Sequence, residues 1–133
     1  MWVKIRNRGA TIIIENGRVA LIKRTKKHRV YYVFPGGGIE GHESPEEAAI
    51  RETYEELGLH VRIQKLLTVL EQHGKQYFFL ADIIGGTFGT GTGEEYTHTS
   101  IERGTYEPIW VNIDDLSSLV VRPKEIVDLI LST

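Results

Sequence analysis

Residues 31–59 impose the tightest constraint on how this chain can fold. Tyr31-Tyr32-Val33-Phe34 is an aromatic and β-branched run that predicts a short strand, and Pro35-Gly36-Gly37-Gly38 stops it. A helix start signal with three parts follows. Ser44 is a favoured N-cap, Pro45 suits the first helical position, and Glu47 completes a Ser-x-x-Glu capping box. Gly58 supplies the stop. The spacing predicts a helix over residues 45–57, entered from a glycine-rich turn.

Successive helical residues turn by about 100°. With Glu52 at zero, Glu56 lies near +40° and Glu55 near −60°, so three carboxylates share one face. Ile50, Tyr54 and Leu57 fall on the other side and are expected to form the buried stripe. Ala48 and Ala49 flank the acidic face and are expected to leave room beside it. A solvated acidic face would cost little, since a like-charge i,i+4 pair loses only about 0.2–0.5 kcal/mol. Placement is more telling. Glu55 and Glu56 sit in the last turn, where the helix dipole is negative, so either Arg51 or a metal ion should compensate them. Donors that are all oxygen point to Mg²⁺ or Mn²⁺.

The flanking sequence predicts an α/β domain. Ala10 to Ile14 and Val19 to Ile22 read as two strands joined through the Asn16-Gly17 turn. Residues 61–70, 76–84 and 109–111 read as further strands. Pro123 opens a closing helix with Ile126, Val127, Ile130 and Leu131 on one stripe. The glycine-rich stretch 85–104 has the length of a functional loop. The order strand, strand, strand, helix, three strands, helix suggests a mixed sheet with helices packed on it. At 133 residues the expectation is one domain over 1–133.

With no cysteine, disulfides, thiolate nucleophiles and Cys-ligated metals are excluded. A net charge of −2 argues against broad nucleic-acid binding. No apolar run reaches the roughly 18 residues of a membrane span, and the first residues lack a signal-peptide core, so a cytoplasmic protein is expected. Residues 23–29 form a local basic run, read either as a solvated loop or as a lip that attracts an anionic substrate. The five histidines have no metal-ligand spacing.

Gly36-Gly37-Gly38-Ile39-Glu40-Gly41 also fits G-x-G-x-x-G. Glu40 and Glu43 crowd the place where a pyrophosphate would sit, and no βαβ unit surrounds the segment, which argues against a dinucleotide fold. Residues 37–59, GGIEGHESPEEAAIRETYEELGL, instead resemble the Nudix box, G-x5-E-x7-R-E-U-x-E-E-x-G-U, where U is apolar. Gly37, Glu43, Arg51, Glu52, Glu55, Glu56, Gly58 and Leu59 match, and Thr53 departs by being polar. At ordinary residue usage the fixed positions would coincide in about 10⁻⁹ of windows.

The resemblance implies the Nudix α/β/α sandwich with a mixed sheet. It also implies divalent-metal-dependent hydrolysis of a nucleoside diphosphate linked to another group, by water attack at phosphorus. It makes Glu52, Glu55 and Glu56 metal ligands for Mg²⁺ or Mn²⁺, with Gly36 lending its carbonyl. Arg51 and Glu43 would pair to brace loop against helix. The general base would be Glu55 or one of the later acids Glu94, Glu95 and Glu102. Candidate substrate contacts are Arg24, Tyr32 and Tyr77, the last matching a Tyr of diadenosine-polyphosphate members. Trp2 and Phe34 are further candidates for stacking on a base. The expected partner is a small nucleotide substrate, with neither membrane nor nucleic acid. A catalytically silent Nudix-fold sensor or interaction module is the alternative, and the intact carboxylates favour the enzyme.

Overall fold

The structure is a computed structural model, and it describes residues 5–93 and 103–132. The strands are β1 Arg8–Ile12, β2 Ile14–Glu15, β3 Arg18–Lys26, β4 Arg29–Val33 and β5 Gly36–Gly38, followed by β6 Leu59–Glu71, β7 Lys75–Gly86, β8 Thr105–Asn112 and β9 Val121–Arg122. Helix α1 spans Pro45–Leu57 and helix α2 Lys124–Leu131. One sheet has the order β5-β1-β7-β6, with β1 parallel to β7 and the other pairs antiparallel. In the second, β3 pairs with β2, β4 and β8, and β4 runs parallel to β9. Both sheets are mixed, and a helix flanks each, so the architecture is the α/β/α sandwich.

The Asn16-Gly17 turn forms with both residues at positive φ, 52° and 73°, as a type I′ turn requires. Its hairpin is shorter than the apolar runs suggest. Only Ile14 and Glu15 pair back on β3, while β1 leaves for the other sheet. The reason is burial. Ile12 and Ile13 are fully buried and belong to two different core clusters, so the chain crosses between the sheets there. One cluster gathers Ile12, Leu21, Phe34, Phe78, Val111 and Leu116 under Ile126, Val127 and Ile130 of α2. The other joins Ile13, Ala20 and Ile22 to Leu57, Leu59 and Val61. Leu131 lies outside the stripe expected for α2 and is exposed, because the helix ends there.

Helix α1 has the expected bounds. Ser44 accepts from the Glu47 amide, Glu47 answers on the Ser44 amide, and Gly58 closes the helix at φ 77°. Its buried face matches the expected stripe only at Leu57. Ile50 and Tyr54 are exposed, while Ala48, Ala49, Thr53, Glu56 and Leu57 are buried. The helix presses on β1 so closely that a Cβ on Gly9 would stand 2.4 Å from the Pro45 carbonyl oxygen. Only small side chains fit that contact, so Ala48 and Ala49 make room for a strand and not for a ligand. Tyr54 stacks outside on His60 at 4.4 Å between ring centroids.

The same packing explains the polar Thr53 of the box. Its hydroxyl donates to the Ala49 carbonyl at 2.7 Å and lies 2.7 Å from the Thr11 hydroxyl. A hydroxyl carries one hydrogen, so Thr11 donates to Thr53. Thr53→Val strands the buried Thr11 hydroxyl and should cost about 1–3 kcal/mol in urea unfolding, more than Thr11→Val. The double valine variant should be more stable than the two single losses predict. Strict additivity would sink this account of the pair.

Candidate active site

The three box carboxylates line one cavity of about 810 Å³. Helix α1 and β5 form one wall, and Arg24, Tyr31, Val33 and Tyr106 of the second sheet form the other. Glu56 is 7% exposed and accepts from the Gly36 amide at 3.0 Å. Glu52 reaches the cavity over Gly37, where a Cβ would stand 2.3 Å from its carboxyl carbon. On the other face a Cβ on Gly36 would stand 2.6 Å from the Gly9 carbonyl oxygen, so glycine lets Gly36–Gly38 run as a buried strand beside β1 where the sequence suggested only a stop. Glu55 is the most open of the three, its side chain 40% exposed.

Arg51 organises the acidic wall. Its Nε and Nη2 donate to the two oxygens of Glu43 at 2.6 and 3.0 Å. Nη2 also donates to the Gly38 carbonyl at 3.0 Å. Nη1 donates to Glu52 at 2.9 Å and to Glu55 at 3.2 Å. A guanidinium has five N–H donors, and these five bonds use them all. The loop therefore does fold back so that Glu43 and Arg51 meet. The bond from Arg51 holds the Glu43 carboxyl below its ordinary range against the opposing effect of desolvation, helped by the Glu40 amide. Glu43 in turn raises Arg51 above its usual value, so the guanidinium stays charged at every working pH.

The end of α1 is satisfied in a way the dipole argument did not foresee. The amides of Gly89 and Gly93 donate to the carbonyls of Leu57 and Glu55, each at 2.9 Å. The backbone that follows β7, together with Arg51, thus compensates the negative helix end. Among the described residues no three carboxylates already converge on one point as a closed metal cage. Glu52 and Glu55 each spend one oxygen on Arg51 and keep the other without a protein partner among those residues.

Arginines line the cavity on two sides, Arg24 and Arg103 next to the second sheet and Arg6 and Arg8 beside β5. Arg24 lies over the Tyr106 ring at 3.7 Å and is tied to the carbonyls of Arg103 and Thr105. Of the substrate contacts expected from the sequence, Arg24 lines the cavity and Tyr32 does not. On β4, Tyr31 and Val33 face the cavity, and Tyr32 between them packs on the first core cluster. Tyr77 is also displaced from the site. It stacks parallel to Phe79 on the α1 side of the first sheet, away from the cavity. Phe34 serves both as core and as cavity wall. Sequence reading passed over Arg6 and Arg8, although their i,i+2 spacing at the start of a strand places both on one face. Glu94, Glu95, Glu102 and Trp2 lie outside the described residues.

The NUDIX domain pattern matches residues 5–130, and the chain belongs to the Nudix family. It is 34% identical over 88 residues to an ADP-ribose pyrophosphatase of Methanocaldococcus jannaschii, covering 60% of this chain and 52% of that one. It is 40% identical over 53 residues to diphosphoinositol polyphosphate phosphohydrolase 3-alpha of Mus musculus, covering 40% and 32%. With an RNA pyrophosphohydrolase of Vibrio cholerae it shares 39% over 71 residues, covering 53% and 40%. The matches thus span about a third to a half of these relatives, 32% to 52%. In fold it resembles a MutT NUDIX hydrolase of Burkholderia pseudomallei, with TM-score 0.68, 25% identity and coverage of 92% and 94%. It also resembles a NUDIX hydrolase of Nitrosomonas europaea, with TM-score 0.74, 18% identity and coverage of 96% and 86%. Of these three relatives, two are named for pyrophosphate cleavage and the third as a phosphohydrolase.

Arg51→Ala should lower stability at pH 7 by about 1.5–3 kcal/mol, the range for losing hydrogen bonds to charged groups. Arg51→Lys should restore only part, because an ammonium cannot make the planar two-point contact. The folded-state pKa of Glu43 is depressed, so its contribution is present above the ordinary value of about 4.3 and fades as pH falls through the lower folded value. Denaturant titrations should show the gap between wild type and Arg51→Ala narrowing below about pH 4. A gap that widens in acid would contradict the brace.

Proposed function

We propose that the protein is a divalent-metal-dependent pyrophosphohydrolase acting on a nucleoside diphosphate linked to another group. The supporting observation is the split polarity of the cavity. Carboxylates crowd the α1 wall, and Arg24 and Arg103 stand on the wall that faces it, with Arg6 and Arg8 at the β5 edge. A purely anionic ligand would find the first wall repulsive, and a bare cation would find the second so. A phosphate anhydride accompanied by a hard cation satisfies both.

The donors fit such a cation, since all are oxygens and none is imidazole or thiolate. Glu52, Glu55, Glu56 and the Gly36 carbonyl would hold Mg²⁺ or Mn²⁺. The ion would neutralise charge on the phosphate oxygens. The chain's own part is positioning. Gly36 fixes Glu56 through its amide, Arg51 fixes Glu52 and Glu55, and the arginines of the opposite wall bind phosphate oxygens. Glu55 is the proposed general base among the described residues, because it is the box carboxylate most open to water. The relatives named above support cleavage of the anhydride. The intact carboxylates favour catalysis over a silent sensor or interaction module.

Turnover on a panel of nucleotide derivatives should stop in excess EDTA and return with Mg²⁺ or Mn²⁺. Glu55→Gln should lower kcat by at least about 10²-fold, with its melting temperature near that of wild type. Glu56→Gln keeps an acceptor for the Gly36 amide, so it should fold and bind Mn²⁺ more weakly by calorimetry. Undiminished turnover in chelator would refute the proposal.

A further inference from the structure

A second cavity, about 570 Å³, opens beside the first and is lined by Lys26, Lys27, His28, Arg29, Tyr31 and Arg122. No carboxylate lines it. Its cations come from two distant parts of the chain. Lys26 and Arg29 pair across the tip of the β3–β4 hairpin, with Lys27 and His28 as its two-residue turn. The parallel pairing of β4 with β9 sets Arg122 opposite Val33. Tyr31 is the wall that the two cavities share. Two guanidiniums lie against its ring, Arg24 of the first cavity at 5.7 Å and Arg122 of the second at 4.5 Å.

None of Arg24, Lys26, Lys27, Arg29 and Arg122 makes an ion pair with a carboxylate among the described residues. This contrasts with Arg51, which takes three carboxylates. It also contrasts with the whole chain, where 18 acids outnumber 16 bases. Like charges gathered together repel one another and attract anions. The fold concentrates them where the phosphate site ends, so an anion bound there would be continuous with one bound in the first cavity.

We infer that this second cavity is a phosphate subsite. It receives phosphate groups of the substrate that lie outside the diphosphate being cut, across Tyr31 from the carboxylate wall. The inference rests on the hydrolase reading and narrows it. The preferred substrates carry more phosphate than a simple nucleoside diphosphate derivative, either along a longer phosphate chain or as phosphomonoesters on the linked group. Exposed charge contacts are individually weak, so the expected effect is on KM and is moderate in size.

The test compares wild type with the Lys27→Ala/Arg29→Ala variant on three compounds: ADP-ribose, which has only the two bridging phosphates, diadenosine pentaphosphate, and a diphosphoinositol polyphosphate. KM should rise about tenfold more for at least one phosphate-rich compound than for ADP-ribose, with kcat little changed. Whichever phosphate-rich compound responds identifies chain or ring phosphates as the source. Equal changes on all three compounds, or none, would overturn the subsite. If wild type cleaves none of them, the hydrolase reading is judged on the wider nucleotide panel. The subsite is then judged by calorimetry with inorganic tripolyphosphate in EDTA. The variant should bind roughly tenfold more weakly than wild type, and equal affinity would overturn the inference. Lys26→Ala/Arg122→Gln serves as the second variant should the first not fold.

Discussion

The Arg51 guanidinium is the interaction on which the site depends. One planar group takes both oxygens of Glu43, the Gly38 carbonyl, Glu52 and Glu55, and so ties the loop before α1 to the exposed face of the helix. Without a cation there, three carboxylates would meet at close quarters, and each would turn toward solvent. With it, Glu52 and Glu55 are fixed in direction while each keeps one oxygen toward the cavity. The fork geometry of arginine makes this possible, because no other side chain offers five donors in one plane.

Backbone close to backbone supports that arrangement. Gly9 lets α1 lie against β1, Gly37 lets Glu52 cross β5, and the Gly36 amide binds Glu56. Charge placed on such a rigid surface needs little reorganisation when a ligand arrives, which is how a preorganised site favours charge that develops during reaction. Arg24 faces the carboxylates from the other sheet, while Arg8 comes from β1 beside β5. The cavity is therefore a product of how the two sheets meet, and neither sheet contains it alone.

Much of this was legible in the chain. The bounds of α1 followed from Ser44, Pro45, Glu47 and Gly58, because caps are local devices that act within a few residues. The carboxylate cluster followed from helical periodicity, and the pairing of Arg51 with Glu43 from the family resemblance. Of the buried stripe expected for α1, only Leu57 is buried. Ile50 and Tyr54 are the larger apolar residues, yet the helix buries Ala48, Ala49 and Thr53. Hydrophobicity ranks residues by what they gain from burial, whereas a helix pressed on a strand selects them by size. Tyr32 and Tyr77 were misplaced for a related reason. A strand shows which residues share a face but not which face meets a cavity.

The sequence by itself determined what could be decided within a turn or two of chain: where α1 begins and ends, that three carboxylates share its surface, and that Asn16-Gly17 makes a tight turn. Covalent geometry and local hydrogen bonds set these, and both act over short separations. The tertiary structure alone decided that β1 abandons its hairpin for the other sheet, that Thr53 is satisfied by Thr11, and that Arg24, Tyr31 and Arg122 come together. Those outcomes depend on which surfaces are buried against each other. Residues distant in sequence settle that jointly, once the two sheets close over their cores.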